Sequence, residues 1–332
     1  MTNLAFSGDF PDLPPLFDDT STIQSLSLYH LFFNTKLLSF ASLTSLNIGV
    51  PGELLPPFVH LFAVNPTLES ISISVWGDIP TAEGQVSTPV IRLRNLVTLD
   101  CRDASMFLLS SLSLPPSTSI LIKDTGFPLA LSRTLPTSLT NIRCLAQIDS
   151  LRLTTTTSPN YSGQPMDEHS VQLTGSGGSV DIHWITGCSS PQTFDPHPLS
   201  LEHIKELSIT HNTTFEHHRA SELDLFLLFD AVKRLEVLRI HLFHSTDCDH
   251  ILYPFYDDDY LCPFLHTVEV VQCSTQTEWL SSLFRMATRR REVGLALRKV
   301  LVSPYPDVDS HIQNYLKRFD SVLLESLEGD TM

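Results

Sequence analysis

The sequence predicts an α/β solenoid, on three observations. A six-residue phrase (apolar, two residues, apolar, one residue, apolar) returns along most of the chain. Its copies recur at intervals of a few tens of residues, the signature of a stacked-repeat architecture. Several gaps between copies carry the three-to-four-residue apolar spacing of an amphipathic helix.

The phrase reads Leu43-x-x-Leu46-x-Ile48, Leu68-x-x-Ile71-x-Ile73 and Leu96-x-x-Leu99-x-Cys101 in the first part of the chain. It returns as Ile148-x-x-Leu151-x-Leu153, Ile204-x-x-Leu207-x-Ile209, Leu235-x-x-Leu238-x-Ile240, Leu265-x-x-Val268-x-Val270 and Leu297-x-x-Val300-x-Val302. A further copy begins at Ile23, a degraded one lies near residue 117, and Leu139-x-x-Ile142-x-Cys144 competes with the copy at 148. Alternate side chains of a strand share a face, so positions four and six point into a core together. Position one lies just before the strand and covers the core edge. First positions advance by 20, 25 and 28 residues in the first clean stretch and by 31, 30 and 32 in the second. These intervals are those of a leucine-rich repeat, drifting slightly longer.

The helical patterns come next. Pro57 is suited to the first turn of a helix, where its missing N–H costs nothing, running through Leu61 and Phe62 to Asn65-Pro66. Ser221-x-x-Asp224 is a start signal before Leu225, Leu228, Phe229 and Val232. Thr275-x-x-Glu278 reads as a capping box, followed by Leu280, Leu283, Phe284 and Ala287 on one face. Ile312, Tyr315, Leu316, Phe319, Val322 and Leu323 predict an amphipathic helix that caps the end of the array.

Between Thr154 and Leu199 the rhythm breaks. Thr154 to Gly163 reads as an exposed loop, and Val171 to Ile185 as a β-hairpin turning at Gly175-Ser176-Gly177-Gly178. The expected organisation is an N-terminal segment (1–19), a first repeat block (20–153), an irregular insertion with a hairpin (154–200), a second block (201–305) and a C-terminal capping helix and tail (306–332).

Composition bounds the function. Of 332 residues, 42% are hydrophobic and 17% charged, enough to bury a core. A formal net charge of −16 opposes nucleic acid or anionic membrane as the main partner. No apolar run approaches a membrane span, and no basic region followed by an apolar stretch opens the chain; the expected compartment is cytoplasm or nucleus, not secretion. The six cysteines are thinly spread without a C-x-x-C pair, which reads as free, mostly buried thiols.

The units Ile204 to Asn212, Leu235 to Phe243 and Leu265 to Cys273 resemble irregular leucine-rich repeats of the ribonuclease-inhibitor type. The helix pattern from Glu278 to Arg291, followed by Leu297-Arg-Lys-Val300-Leu-Val302, resembles the close of fungal F-box-associated leucine-rich-repeat proteins. The resemblance implies a horseshoe with parallel strands on the concave face and protein binding as the activity. In the full-length family an F-box docks a ubiquitin-ligase adaptor while the repeats hold the substrate. With the first phrase at Ile23, the sequence predicts that the F-box itself is absent. The family's Asn, three residues beyond position six, is matched only by Asn212, so an irregular array is expected.

No site for chemistry stands out. His244, Cys248 and His250 have metal-ligand types, but their spacing fits no closed zinc pattern, and a solvated loop is the simpler reading. Asp257-Asp258-Asp259 lacks the glycine and distal glutamate of a calcium loop. Eleven of fourteen histidines fall between 169 and 266, which reads as compositional drift on loops. Arg285, Arg289, Arg290 and Arg291 form a basic helix end that offsets the helix dipole. Trp184 and Trp279 are expected in the core. No cofactor and no metal are expected, and the chain is not expected to be an enzyme.

The expected function is a non-enzymatic scaffold that binds another protein, acts as a monomer and is related to ubiquitin-ligase substrate recognition. Two alternatives stay open: an F-box-less structural or vestigial paralogue without a dedicated partner, and an enzyme of unknown type. Positions three, five and seven of each phrase would face the concave side, giving a contact stripe of Asp100, Arg102, Arg152, Ser208, Arg239, His241 and Glu269, with Ser150, Thr210 and Thr267 between them.

Overall fold

The structure, a computed structural model, describes residues 2–7, 22–29, 40–77, 90–125, 131–159, 165–187, 192–193, 196–213, 223–242, 246–258, 260–272 and 279–303. The protein is mixed α/β, dominated by large, mostly parallel, open β-sheet with few helices. The chain divides into two compact units: residues 1–127, 131–148 and 173–184 form one, and residues 128–130, 149–172 and 185–332 the other.

The first unit contains strands β1 (Thr2–Ser7), β2 (Ile23–Tyr29), β3 (Ser45–Pro51), β4 (Ser70–Trp76), β5 (Thr98–Arg102) and β6 (Ser119–Thr125), hydrogen-bonded in that order and parallel throughout. The N-terminal segment carries no copy of the phrase, yet β1 adds a parallel strand beside β2. Leu26, Leu46, Ile71, Leu99 and Ile120 form one cross-strand row, and Leu28, Ile48, Ile73, Cys101 and Ile122 the next. All ten are buried. Each such aliphatic side chain contributes roughly 1.5–3 kcal/mol by leaving water, which holds the register against a one-residue slip.

Position one has its own device. Leu43 and Leu68 each donate a backbone N–H to the carbonyl three residues earlier, at Phe40 and Asn65, closing a tight turn just before the strand. Side chains stitch successive turns together: Thr67 Oγ1 donates to Leu43 O (2.7 Å) and Thr118 Oγ1 to Leu96 O (3.0 Å). Buried Asn65 accepts from Phe40 N–H (2.8 Å) and donates to Leu61 O (2.7 Å). These groups satisfy carbonyls and N–H groups that would otherwise be orphaned in the core. Helix α1 (Leu55–Val64) starts two residues earlier than the sequence predicts. Pro56 and Pro57 still lie in its first turn, where N–H groups have no intrahelical acceptor. Helices α2 (Ser105–Ser111) and α3 (Leu131–Thr134) are short.

The predicted hairpin forms. Strands β8 (Pro165–Gly175) and β9 (Ser179–Gly187) flank a turn in which Gly175 N–H donates to Gly178 O (3.2 Å). Gly178 is required there: a Cβ on it would lie 2.6 Å from Thr118 O and 2.8 Å from Pro116 O. The loop predicted from Thr154 is corrected. Strand β7 runs Ile148–Pro159, and Thr154 to Thr157 pair in register with Thr210 to Thr213. A run of β-branched threonines fits a pleated strand well, whatever its polarity.

In the second unit β7 is followed in the parallel ladder by β10 (Glu206–Thr213), β11 (Val237–Leu242), β12 (Thr267–Gln272) and β13 (Lys299–Ser303). Its buried rows are Leu151, Leu207, Leu238, Val268 and Leu153, Ile209, Ile240, Val270, with Val300 and Val302 next in register on β13. The turn before position one recurs: Ile204, Leu235 and Leu265 donate their N–H groups to Leu201, Val232 and Cys262. Two two-residue strands, Gln192–Thr193 and Leu223–Asp224, pair in parallel, and the first unit holds a similar pair, Ile91–Arg92 with Leu112–Ser113. Helix α4 (Phe226–Ala231) begins directly after Leu225. Leu225, Leu228, Phe229 and Val232 are all buried, as their spacing predicts, although residues 221–222 of the start signal lie outside the described residues.

Helices α5 (Thr246–Leu252), α6 (Pro254–Asp257) and α7 (Trp279–Glu292) complete the unit. The capping box before α7 and the predicted C-terminal helix lie outside the described residues, as does the side chain of Trp184. Trp279 is buried, as expected. On α7 the expected apolar face is corrected at Phe284, which is exposed, and the expected basic end at Arg290, which is buried, as is Met286. Arg290 belongs to the core and not to a solvated basic end. Its Nη1 donates to Leu261 O (2.7 Å), and its Nη2 to Cys262 O (3.0 Å) and Leu265 O (3.3 Å). The planar fork thereby satisfies the carbonyls of the turn that opens the β12 phrase. Helix α7 ends in a Schellman motif, with Leu295 N–H on Arg290 O and Gly294 N–H on Arg291 O, and Gly294 at φ +79° supplies the left-handed residue the motif needs.

Candidate functional site

Side chains opposite the core rows form a polar face in each unit. In the second unit the parallel register sets them in rows across the strands. Arg152, Ser208, Arg239, Glu269 and Leu301 make one row; Ser150, Glu206, Val237, Thr267 and Lys299 make the row before it. Thr154, Thr210, His241 and Val271 make the row after it. Four of the seven stripe residues predicted from sequence, Arg152, Ser208, Arg239 and Glu269, therefore stand side by side, with His241 one row on.

Arg239 is clamped. Its Nη1 donates to Glu206 Oε2 (2.6 Å) and its Nε to Glu269 Oε2 (2.9 Å). The Glu206 hydrogen bond, opposed by partial burial and supported by Glu269, raises the guanidinium pKa. Glu206 is not among the site residues predicted from sequence, although it occupies position three of the 204 phrase and register alone is enough to find it. Arg152, by contrast, is exposed and makes no ion pair among the described residues.

Ser208 departs from expectation. It lies on the polar face between Leu207 and Ile209, yet it is only 7% exposed. Arg152 and Arg239 flank it in register on the two neighbouring strands. Its Oγ has no hydrogen-bond partner among the described residues. An unsatisfied buried hydroxyl costs about 1–3 kcal/mol, so such groups need an explanation. His241 is half-buried, and its pKa is lowered by that burial and then by the Arg152 charge, with Glu269 pulling the other way.

Asp100 and Arg102 belong to the first unit. Asp100 lies 3.8 Å from Lys123, and Arg102 lies 3.7 Å from Asp103; both pairs are solvent-facing. The rest of that unit's polar face is built from small side chains, Ser25, Ser45, Ser70, Thr98 and Ser119 in one row and Ser27, Asn47, Ser72 and Asp100 in the next. Beyond them Tyr29 and Trp76 converge over Gly49, where a Cβ would lie 2.7 Å from the tyrosine ring and 3.3 Å from the indole. Asn47 Nδ2 donates to the Tyr29 hydroxyl. This aromatic pair is not among the residues predicted from sequence; position seven of the phrase, which holds Tyr29, Gly49 and Ser74, carries the signal.

His250 and Cys248 lie on α5, and His244 lies outside the described residues. Among the described residues no group of three or more His, Cys, Asp or Glu is arranged to hold a metal ion. Asp258 accepts the N–H of Tyr260 in a local turn. Arg285 stacks on the Tyr256 ring (4.8 Å to its centroid) and Arg289 donates to Tyr256 O (2.7 Å). Cys101, Cys144 and Cys262 are buried; burial pushes the Cys144 thiol up to about 11 and the Cys262 thiol up to about 12, which favours the protonated thiol at neutral pH. In the core of the second unit Thr155 Oγ1 and His169 Nδ1 lie 3.0 Å apart beside buried Asp167, an unforeseen polar cluster shut away from solvent.

Among the described residues no helix is long and apolar enough to cross a membrane. Compared with protein-family models, with curated proteins and with solved structures, the chain matches none.

Proposed function

We propose that this protein is a leucine-rich-repeat-like solenoid, with parallel strands on a concave face, and that it works as a non-enzymatic scaffold for binding another protein. The observation that supports this is the second unit's polar face, where charged side chains stand in register on a parallel ladder backed by buried aliphatic rows. Such a ladder holds Arg152, Arg239 and Glu269 at fixed spacings, and rigidly presented arginines suit protein contacts. The resemblance to F-box-associated repeat proteins extends the reading to substrate recognition for a ubiquitin ligase.

The test is affinity capture from cell extract with wild type and with the double variant Arg152→Glu, Arg239→Glu, read by quantitative mass spectrometry. The reading expects specific partners that the double variant loses. Equal recovery with both proteins counts against the face. Ubiquitin-ligase adaptor subunits among the wild-type partners would support the extended role, and their absence from a specific partner set would remove it.

A further inference from the structure

We propose that Arg152, Ser208 and His241 form a subsite for a single carboxylate, carried by an acidic side chain on an extended segment of the bound protein. The inference rests on the binding reading above and names the chemistry its partner must bring. Two independent observations carry it. Arg152 is the guanidinium of the row that has no carboxylate partner among the described residues, because Glu206 and Glu269 both close on Arg239. Next to it, Ser208 holds a buried Oγ with no hydrogen-bond partner on the same face. A carboxylate seated against Arg152 accepts both the guanidinium N–H groups and the serine O–H, so one ligand resolves both features.

The charge of the row selects the ligand. Glu206 and Glu269 both pair with Arg239 and leave the Arg152 charge unmatched among the described residues, while burial lowers the His241 pKa. One negative charge fits beside Arg152. A phosphate dianion, or a second acidic side chain toward β12, would meet Glu206 and Glu269 across neighbouring strands only about 5–10 Å away. His241 lies one row beyond Arg239, where the Arg152 charge acts on it.

The full chain is panned against a random peptide library displayed on phage, and selected peptides are synthesised. Enrichment of a single Asp or Glu supports the subsite. So does a loss of roughly tenfold to a hundredfold in affinity both on Glu→Gln in the peptide and on Arg152→Gln in the protein, the scale of one charge-assisted hydrogen-bond pair. Phosphoserine in place of the peptide's acidic residue is expected to bind more weakly; tighter binding overturns the carboxylate assignment. Ser208→Ala should lose severalfold in affinity while melting at or above the wild-type temperature, since it removes an unsatisfied hydroxyl. A lower melting temperature with unchanged affinity would make Ser208 structural and overturn its role. Selected peptides without acidic preference overturn the subsite and leave the scaffold standing. No selected peptide at all overturns both.

Discussion

Arg239 and Glu269 face each other in register on adjacent parallel strands, and the Arg239 Nε–H donates to Glu269 Oε2 across 2.9 Å. Both side chains remain partly exposed, so solvent screens most of their attraction. A double-mutant cycle with Arg239→Gln and Glu269→Gln should therefore give a coupling of about 1 kcal/mol or less, measured by urea unfolding and shrinking further in concentrated salt. A larger, salt-insensitive coupling would mean a pair shielded from water. The effect of the pair is on geometry: it fixes where the Arg239 guanidinium points.

Arg290 is the opposite case. It is buried and feeds three backbone carbonyls of the turn before β12. Arg290→Met should destabilise the protein by about 3 kcal/mol or more, because the carbonyls lose donors and regain no water. Arg290→Lys should recover only part of this, since an ammonium cannot reproduce the planar fork. Guanidinium chloride titrations of the three proteins provide the check.

Acid should weaken the fold through His169. Its burial lowers the pKa to about 4, with Asp167 opposing and His211 adding to the fall. The unfolded chain takes up this proton near pH 6.5, the folded chain only near 4, so stability is complete above about 6.5 and declines as pH falls toward 4. The histidine's share is about 3 kcal/mol. His169→Gln has no such proton, so its stability should fall less steeply over the same window in melts at stepped pH; parallel curves would refute the assignment.

Gly178→Ala places a methyl against the carbonyls of Thr118 and Pro116, which are backbone and have little room to move. The expected cost is about 1–3 kcal/mol, read as a lower thermal midpoint. An unchanged midpoint would mean that the hairpin tip is free to lift from the Pro116–Thr118 turn.

Much of the sheet is legible in the sequence because positions one, four and six of the phrases that start at Ile23, Leu43, Leu68, Leu96, Ile148, Ile204, Leu235 and Leu265 obey one rule, burial, and parallel register then places the side chains between them. Glu206 follows from that rule as directly as Arg239 does. Ser208 does not: it holds an outward position yet is buried, between Arg152 and Arg239 in register, and one strand's sequence does not contain its neighbours. The strand at Thr154 to Pro159 is hidden because its threonines offer no apolar alternation, although their branching suits a strand. Asp167 and His169 continue the inward positions of Val171 and Leu173, so alternation points them into the core while their polarity argues for the surface. Arg290 repeats that conflict on a helix, eleven residues beyond Trp279 on the same buried side.

The register of the strands separates two kinds of length change. A residue inserted inside a phrase would turn the remainder of that strand over, driving the likes of Arg239 inward and Ile240 outward. A residue inserted between phrases leaves every row intact, and those intervals already run from 20 to 32 residues in the clean stretches. The sheet is a fixed grid hung on elastic intervals. Loops between phrases can be lengthened, trimmed or used as fusion points while the spacing of the charged row stays constant, which makes the rows a calibrated surface for grafting new side-chain patterns.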